Sequence, residues 1–375
     1  MIGIVITAYN RADSLSTLLK SLLMVRKVTN EEIPLVISID NNGTPEVNNI
    51  AYKFNWPFGH KEVIIHKERL GLVKHFIWAG DQTERFENVI FLEDDLIVSP
   101  ELLNYSTQLI DYYKDKEEVA AASLYNPILN EDTGTRFYQL QDNADVYFLQ
   151  HPYWGNIWFK EKWRLFKHYM KTYKKRDEIL PRNVASWGDK SFKQKYIQYL
   201  IETRKTVVIA RISVVSNNGC SGLHSDEGLY MYQNVLKLDG NKYVFISPSK
   251  SLSYYDAYEE ISSDIIKKYA PELSGFDFTV DLNGSHDKYS TKYALTSKKT
   301  KKALYSYTSL MKPVEMGVIM GIEGNKSISL TDVNDIIEEK SFATHRFYGD
   351  IGKNYRINYG KTLFLYVLKK IIKRL

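Results

Sequence analysis

The first third of this 375-residue chain alternates short apolar runs with stretches of helical spacing, and no other feature narrows its possible folds as far. The runs are Gly3–Ala8, Leu35–Asp40, Val63–His66, Val89–Leu92 and Val119–Ser123. That alternation predicts a parallel sheet with covering helices, hence an α/β fold. Between the first two runs, Asp13 or Ser14 is placed to cap a helix whose Leu15, Leu18, Leu19, Leu22 and Leu23 share one face and belong to the core. A later run, Thr206–Ala210, reads as one more strand.

Within the fourth run three carboxylates, Glu93-Asp94-Asp95, stand between Val89-Ile90-Phe91-Leu92 and Leu96-Ile97-Val98. Charge so concentrated needs a counter-ion. The acids are expected at the carboxyl end of a buried parallel strand, where open α/β sheets place their ligands. Hard oxygen ligands there suit Mg²⁺ or Mn²⁺, with substrate phosphates completing the metal's shell. The plainer reading is a solvated acidic turn before a helix that begins at Ser99-Pro100.

Fifty basic against forty-five acidic side chains leave a net charge of +5, which gives no sign of a nucleic-acid partner. The single Cys220 rules out an internal disulfide framework and fits a reducing, cytoplasmic setting. Met1-Ile2-Gly3-Ile4-Val5-Ile6 leads straight into a strand without a basic n-region or cleavage site, so no signal peptide is expected. Runs such as Met316 to Ile322 and Leu363 to Leu368 fall far short of the ~20 residues a membrane span requires. After Leu124 come a polar stretch, Asn126 to Asp145, and an aromatic block from His151 to Phe159. A basic helix-like run, Lys160 to Lys175, follows, and Ser216 to His224 forms a Gly-rich turn. Lys298-Lys299-Thr300-Lys301-Lys302 reads as an exposed loop. At the end, Phe364, Val367, Leu368, Ile371 and Leu375 share a helical face beside Lys369, Lys370, Lys373 and Arg374. Such a helix suits either peripheral contact with an anionic membrane or packing on its own domain or a second subunit, as in a homodimer.

Short polar segments follow the strands: Thr7-Ala8-Tyr9-Asn10-Arg11, Asp40-Asn41-Asn42-Gly43, and Arg69-Leu70-Gly71-Leu72-Val73-Lys74-His75. With the acidic triplet, they resemble the GT-A glycosyltransferases, among them the bacterial family 2 enzymes and N-acetylglucosaminyltransferase I. The resemblance covers roughly Gly3 to Ser225. It implies a Rossmann-like, mixed but mostly parallel sheet with helices on both faces over residues 1–240; the later residues lie outside the resemblance, and 241–375 is expected to be a helical C-terminal extension whose pattern is defined only at its terminal basic amphipathic helix. It further implies that Thr7, Ala8, Tyr9, Asn10 and Arg11 cradle a nucleotide, and that Asp40 holds its base or ribose. Arg69, Gly71, Lys74 and His75 approach the diphosphate and base. Glu93 and Asp94 lie near the ribose or donor sugar, and Asp95 binds Mn²⁺ or Mg²⁺. Glu93 departs from the Asp that many members have first in this motif. Tyr153, Trp154 and Gly155 match an acceptor loop, although Asn156-Ile157 replaces the usual Gly and Trp. Trp187-Gly188-Asp189 matches the motif of the catalytic base, with one Gly interposed, so Trp187 and Gly188 would also face the acceptor. Asn217-Asn218-Gly219-Cys220-Ser221-Gly222-Leu223-His224 matches a turn whose His224 is a second metal ligand. The implied activity is inverting transfer from a nucleotide-sugar donor, with UDP favoured, to a saccharide or lipid-linked saccharide in surface polysaccharide synthesis.

Each residue has a plainer role open to it. Asp40 can form an Asx turn, Asp189 a helix cap, Arg69 and Lys74 surface charges, and Trp154, Trp158, Trp163 and Trp187 core packing. An isolated His224 is more often an ordinary hydrogen-bonded histidine than a ligand. The order of the motifs favours the transferase. A sugar nucleotidyltransferase would carry a Gly-rich loop where Ala8-Tyr9-Asn10-Arg11-Ala12 has none, and a dinucleotide enzyme would show Gly-x-Gly-x-x-Gly. A catalytically silent carbohydrate-binding or scaffold subunit is the alternative from outside enzymology.

Overall fold

The computed structural model describes residues 1–27, 29–188, 191–218, 232–324 and 327–337. Asp189, Cys220, His224 and the terminal amphipathic segment lie outside the described residues. The chain divides into two compact units, residues 1–128 with 140–262, and residues 129–139 with 263 onward.

The first unit begins β1 (Ile2–Ala8), α1 (Ala12–Leu22), β2 (Leu35–Ile39), α2 (Pro45–Lys53), β3 (Lys61–Ile65), α3 (Gly71–Asp81), α4 (Thr83–Phe86) and β4 (Asn88–Glu93). It continues with β5 (Leu96–Val98), α5 (Leu102–Tyr113), β6 (Val119–Ser123), β7 (Val146–Leu149), β8 (Asn156–Phe159) and α6 (Lys160–Met170). Then come α7 (Arg182–Ser186), α8 (Phe192–Thr203), β9 (Thr206–Ala210), β10 (Val215–Asn217) and β11 (Tyr254–Tyr255). Nine strands form one sheet in the order β11-β7-β9-β6-β8-β4-β1-β2-β3. β3, β2, β1 and β4 pair in parallel, whereas β8 enters antiparallel between β4 and β6. The sheet is therefore mixed and mostly parallel, and each expected strand is present. All of β2, β6 and β9 is buried, as strands covered on both faces must be.

Helix α1 buries Leu15, Leu18, Leu19 and Leu22, but Leu23 lies past its last turn and is 48% exposed. Arg11 occupies the N-cap position without a side-chain cap, so neither Asp13 nor Ser14 performs that function. The basic run forms α6 only as far as Met170. Behind β8, Trp158, Trp163, Phe166, Phe192 and Tyr196 pack ring against ring, with Trp158 and Trp163 centroids 4.9 Å apart. Those two tryptophans are core residues, and their packing seats α6 and α8 against the sheet.

The second unit contains α9 (Ser263–Tyr269), β12 (Phe278–Asp281), β13 (Tyr293–Thr296), β14 (Tyr305–Tyr307), α10 (Met316–Ile319) and β15 (Ile328–Asp332). Its sheet runs β12-β13-β15-β14. This part is β-rich where a helical extension was expected, because Phe278, Val280, Ala294, Leu295, Ile328 and Leu330 bury on strands rather than helices. The first unit also runs past residue 240, since β11 adds to its sheet beside β7. Within the basic pentad, Thr300 is buried and Lys298 lies close to Asp281, so only part of that segment is exposed loop.

Candidate active site

Parallel pairing of β2, β1 and β4 brings the polar segments that follow these strands together at their carboxyl ends. Asp94 and Asp95 form the turn between β4 and β5. Asp94 N donates to Thr7 O at 3.1 Å, and Tyr9 N donates to Asp94 Oδ2 at 3.3 Å. Arg11 Nη1 lies 2.7 Å from Asp95 Oδ2 and 3.3 Å from Asp94 Oδ1. The Arg69 guanidinium stacks 4.7 Å over the Tyr9 ring. Thus Thr7, Tyr9, Arg11, Arg69, Asp94 and Asp95, read from three distant segments, converge; Asn10 is exposed beside them and Ala8 is buried in β1.

Arg11 supplies the positive charge that the acids require. Its guanidinium leaves Asp95 Oδ1 buried without a hydrogen-bond partner. A buried carboxylate oxygen with no donor is costly unless a cation or proton meets it, so the site fits a divalent ion. Among the described residues no group of three or more His, Cys, Asp or Glu is arranged to hold a metal. Burial, Asp95 and Asp94 push the Glu93 carboxyl up to about 8, against the pull of Arg11 and Lys193, although Glu93 keeps part of its surface exposed. Burial likewise raises Asp94, to about 6, with Arg11 opposing. Glu93, at the end of β4, is thereby biased toward its protonated form, which a cation bound nearby would oppose.

Asp40 performs a structural task that the sequence did not disclose. Leu70 is right-handed and Gly71 has φ +67°, a succession that points consecutive N–H groups at one anion. Leu70 N donates to Asp40 Oδ1 at 2.7 Å and Gly71 N to Oδ2 at 2.9 Å, while Asn41 N also reaches Oδ1 at 2.8 Å. Burial disfavours the charged carboxylate, but these donors outweigh it and hold the Asp40 pKa below its ordinary value. The Asp40 side chain accepts from the N–H of the next residue, Asn41, and the N–H of Gly71 is also directed at it. His75 is buried on α3, not open at the surface. Its Nε2 lies 2.7 Å from Ser38 Oγ, which His66 Nε2 also approaches at 2.8 Å. Burial, then the neighbouring His66, lowers His75 to about 4, so this pair is held neutral. Lys74 is exposed on the first turns of α3.

Because β8 is antiparallel to β4, with Asn156 opposite Phe91, the loop leading into β8 lies at the end where the acids emerge. Tyr153 is buried there, its hydroxyl donating to Glu259 Oε1 at 2.7 Å. Trp154 meets Tyr125 edge-on at 4.9 Å, and Gly155 has φ +65°. Lys193, the second residue of α8, lies 4.3 Å from the Tyr153 ring and 5.5 Å from that of Trp187, and its charge is felt at Glu93. Trp187 is half-buried against Leu180, Val184, Ile197 and Ala257, and Gly188 is exposed after it. Lys193 and Glu259 escaped the sequence reading. Lys193 looked like one helical base among several, and Glu259 followed the last motif. Ser191 Oγ accepts from Gln194 N at 3.2 Å and caps α8, so the capping duty open to Asp189 belongs to Ser191. β10 pairs with β5, and Asn218 N donates to Asp95 O at 2.7 Å, immediately before the segment that contains His224.

A family described as the SPBC1E8.03c C-terminal domain matches residues 13–179. An alpha-1,3-mannosyl-glycoprotein 2-beta-N-acetylglucosaminyltransferase from Arabidopsis thaliana is 26% identical over 167 residues, covering 40% of this chain and 33% of that protein. The chain therefore spans about a third of this curated relative. Among solved structures, S. aureus TarS 1-349 in complex with UDP-GlcNAc matches with a TM-score of 0.39 and 15% identity, over 60% of each chain. The mannosyltransferase PcManGT from Pyrobaculum calidifontis, in complex with GDP-Man and Mn²⁺, matches with a TM-score of 0.36 and 11% identity, over 56% of each chain. Over those 167 residues the chain is similar in sequence to a glycosyltransferase, and its own first unit is a mixed, mostly parallel α/β sheet. Among the described residues no helix is long and apolar enough to cross a membrane.

Proposed function

We propose that the protein transfers a sugar, with inversion, from a nucleoside diphosphate donor to a saccharide hydroxyl in the synthesis of a surface polysaccharide. The observation that carries this reading is the convergence of Tyr9, Arg11 and Arg69 with the carboxylates of Asp94 and Asp95 at the carboxyl ends of β1 and β4. Similarity to an N-acetylglucosaminyltransferase supports it and makes UDP-GlcNAc the first donor to test.

In this reading the Tyr9–Arg69 stack receives the nucleotide, and Arg11 and Lys74 supply positive potential to the diphosphate. Asp95, through its unpartnered Oδ1, and His224 would hold Mn²⁺ or Mg²⁺, which when bound offsets charge on the departing diphosphate. Tyr153, Trp187 and Lys193 line the acceptor side. Asp189 takes the proton from the acceptor oxygen as that oxygen bonds to the anomeric carbon, and attack opposite the leaving group inverts the centre. The runner-up, a silent binding subunit, keeps the donor intact.

The test is release of UDP from UDP-GlcNAc and Mn²⁺ by purified protein, with and without a saccharide acceptor. Asp189→Asn should retain donor affinity and lose about 10² or more in turnover. Undiminished turnover transfers the base to another acid, and nucleotide binding without UDP release favours the binding subunit.

A further inference from the structure

The second unit contains an open cavity of about 630 Å³, within the roughly 300–1,000 Å³ range of small-molecule sites. One wall is Leu304 to Tyr307 on and before β14, another is Gly321 to Gly324, and Glu272 follows α9. The two walls run backbone against backbone. Thr308 N donates to Ile322 O at 2.9 Å, and Tyr307 bridges Glu323. Gly321, with φ +60°, turns the chain after α10 in a conformation other residues rarely adopt.

The lining selects the ligand. Tyr305 is 36% exposed and is braced edge-on by Phe276 at 6.0 Å. Tyr307 donates its hydroxyl to Glu272 Oε1 at 2.8 Å, which orients that carboxylate. Glu323 is exposed beside it. Among the described residues no Lys or Arg lines the cavity, so there a phosphate or nucleotide would meet two repelling carboxylates and no counter-charge. An uncharged saccharide matches both parts, because its C–H faces lie on an aromatic ring while its hydroxyls donate to carboxylates in charge-assisted bonds. We propose that this cavity binds an uncharged saccharide, in a unit separate from the one that carries Glu93 to Asp95. The proposal is independent of the transferase reading, since it requires neither donor nor metal.

The test uses the full chain without nucleotide. It is screened on an array of neutral, amino and phosphorylated glycans, and the strongest neutral binder is titrated by calorimetry. Tyr305→Ala should weaken binding at least about tenfold and Glu323→Gln several-fold, whereas Asp95→Ala should bind like wild type. The proposal fails if no neutral glycan is retained, if binding ignores both cavity substitutions, if it is lost with Asp95→Ala, or if phosphorylated or amino glycans bind in preference. Should circular dichroism show Tyr305→Ala unfolded, Glu323→Gln on its exposed segment decides the matter alone.

Discussion

Arg11 and Asp95 set the electrostatic problem at the scale of single residues. The ion pair satisfies Asp95 Oδ2 and leaves Oδ1 buried without a partner, so Asp95→Ala removes a demand for charge rather than a packing contact. The variant should stay folded and lose the Mn²⁺ dependence of nucleoside diphosphate binding, as read by calorimetry with and without metal; unchanged dependence would assign the metal elsewhere. Glu93 supplies a second test. Its folded pKa, about 8, exceeds the ordinary 4.5, so the proton it retains stabilises the fold fully below the ordinary value. That contribution is lost as pH rises through about 8. Glu93→Gln should therefore flatten the decline in melting temperature between pH 5 and 8, and stabilisation of wild type by Mn²⁺ should grow over the same interval. Parallel melting curves for wild type and variant would refute the assignment. The acids themselves were legible as three charges inside an apolar segment. Their guanidinium partner was not, because Arg11 stands 83 and 84 positions away and only parallel pairing of β1 with β4 brings it near.

At the scale of elements, α3 is fastened to β2 by one carboxylate. Asp40 accepts the N–H groups of Leu70 and Gly71 at a helix start that has no side-chain cap of its own. Asp40→Ala leaves both donors buried or facing water poorly, which should cost about 1–3 kcal/mol. Amide exchange should report the loss first in the opening turn of α3. Since the folded pKa of Asp40 is depressed, its stabilisation is present above the ordinary carboxylate value and disappears as pH falls below it. Asp40→Asn should accordingly lose less stability on acidification than wild type, and an equal loss in both would show that the carboxylate does not fasten the helix. Strands such as β2, β6 and β9 could be read from apolar runs because both faces of each are covered. Leu23 was misread since helical spacing continues past the point where the chain leaves the helix. The antiparallel insertion of β8, which brings the Tyr153 loop to the acids, depends on a strand pairing that periodicity does not encode.

For the whole molecule, the relevant fact is that residues 129–139 leave the first unit and join the second, so the chain passes between units three times. Nothing in the polar composition of Asn126 to Asp145 announced that excursion, because a polar stretch reads alike as loop or as a strand of another unit. Each unit has its own sheet and buried core, and the donor residues named above all belong to the first. Ligands that bind one unit should then stabilise that unit alone. UDP with Mn²⁺ at about 100 times its dissociation constant adds ~2.7 kcal/mol to whatever unfolds with the site. Differential scanning calorimetry should resolve two transitions, of which UDP with Mn²⁺ raises only one. Tyr305→Ala should lower the other, and Leu18→Ala in the core of the first should move the nucleotide-sensitive transition by about 2–5 kcal/mol. A single transition displaced as a whole by every one of these changes would mean that the two cores unfold as one, and that the crossings at 128, 139 and 262 couple them more strongly than their separate sheets imply.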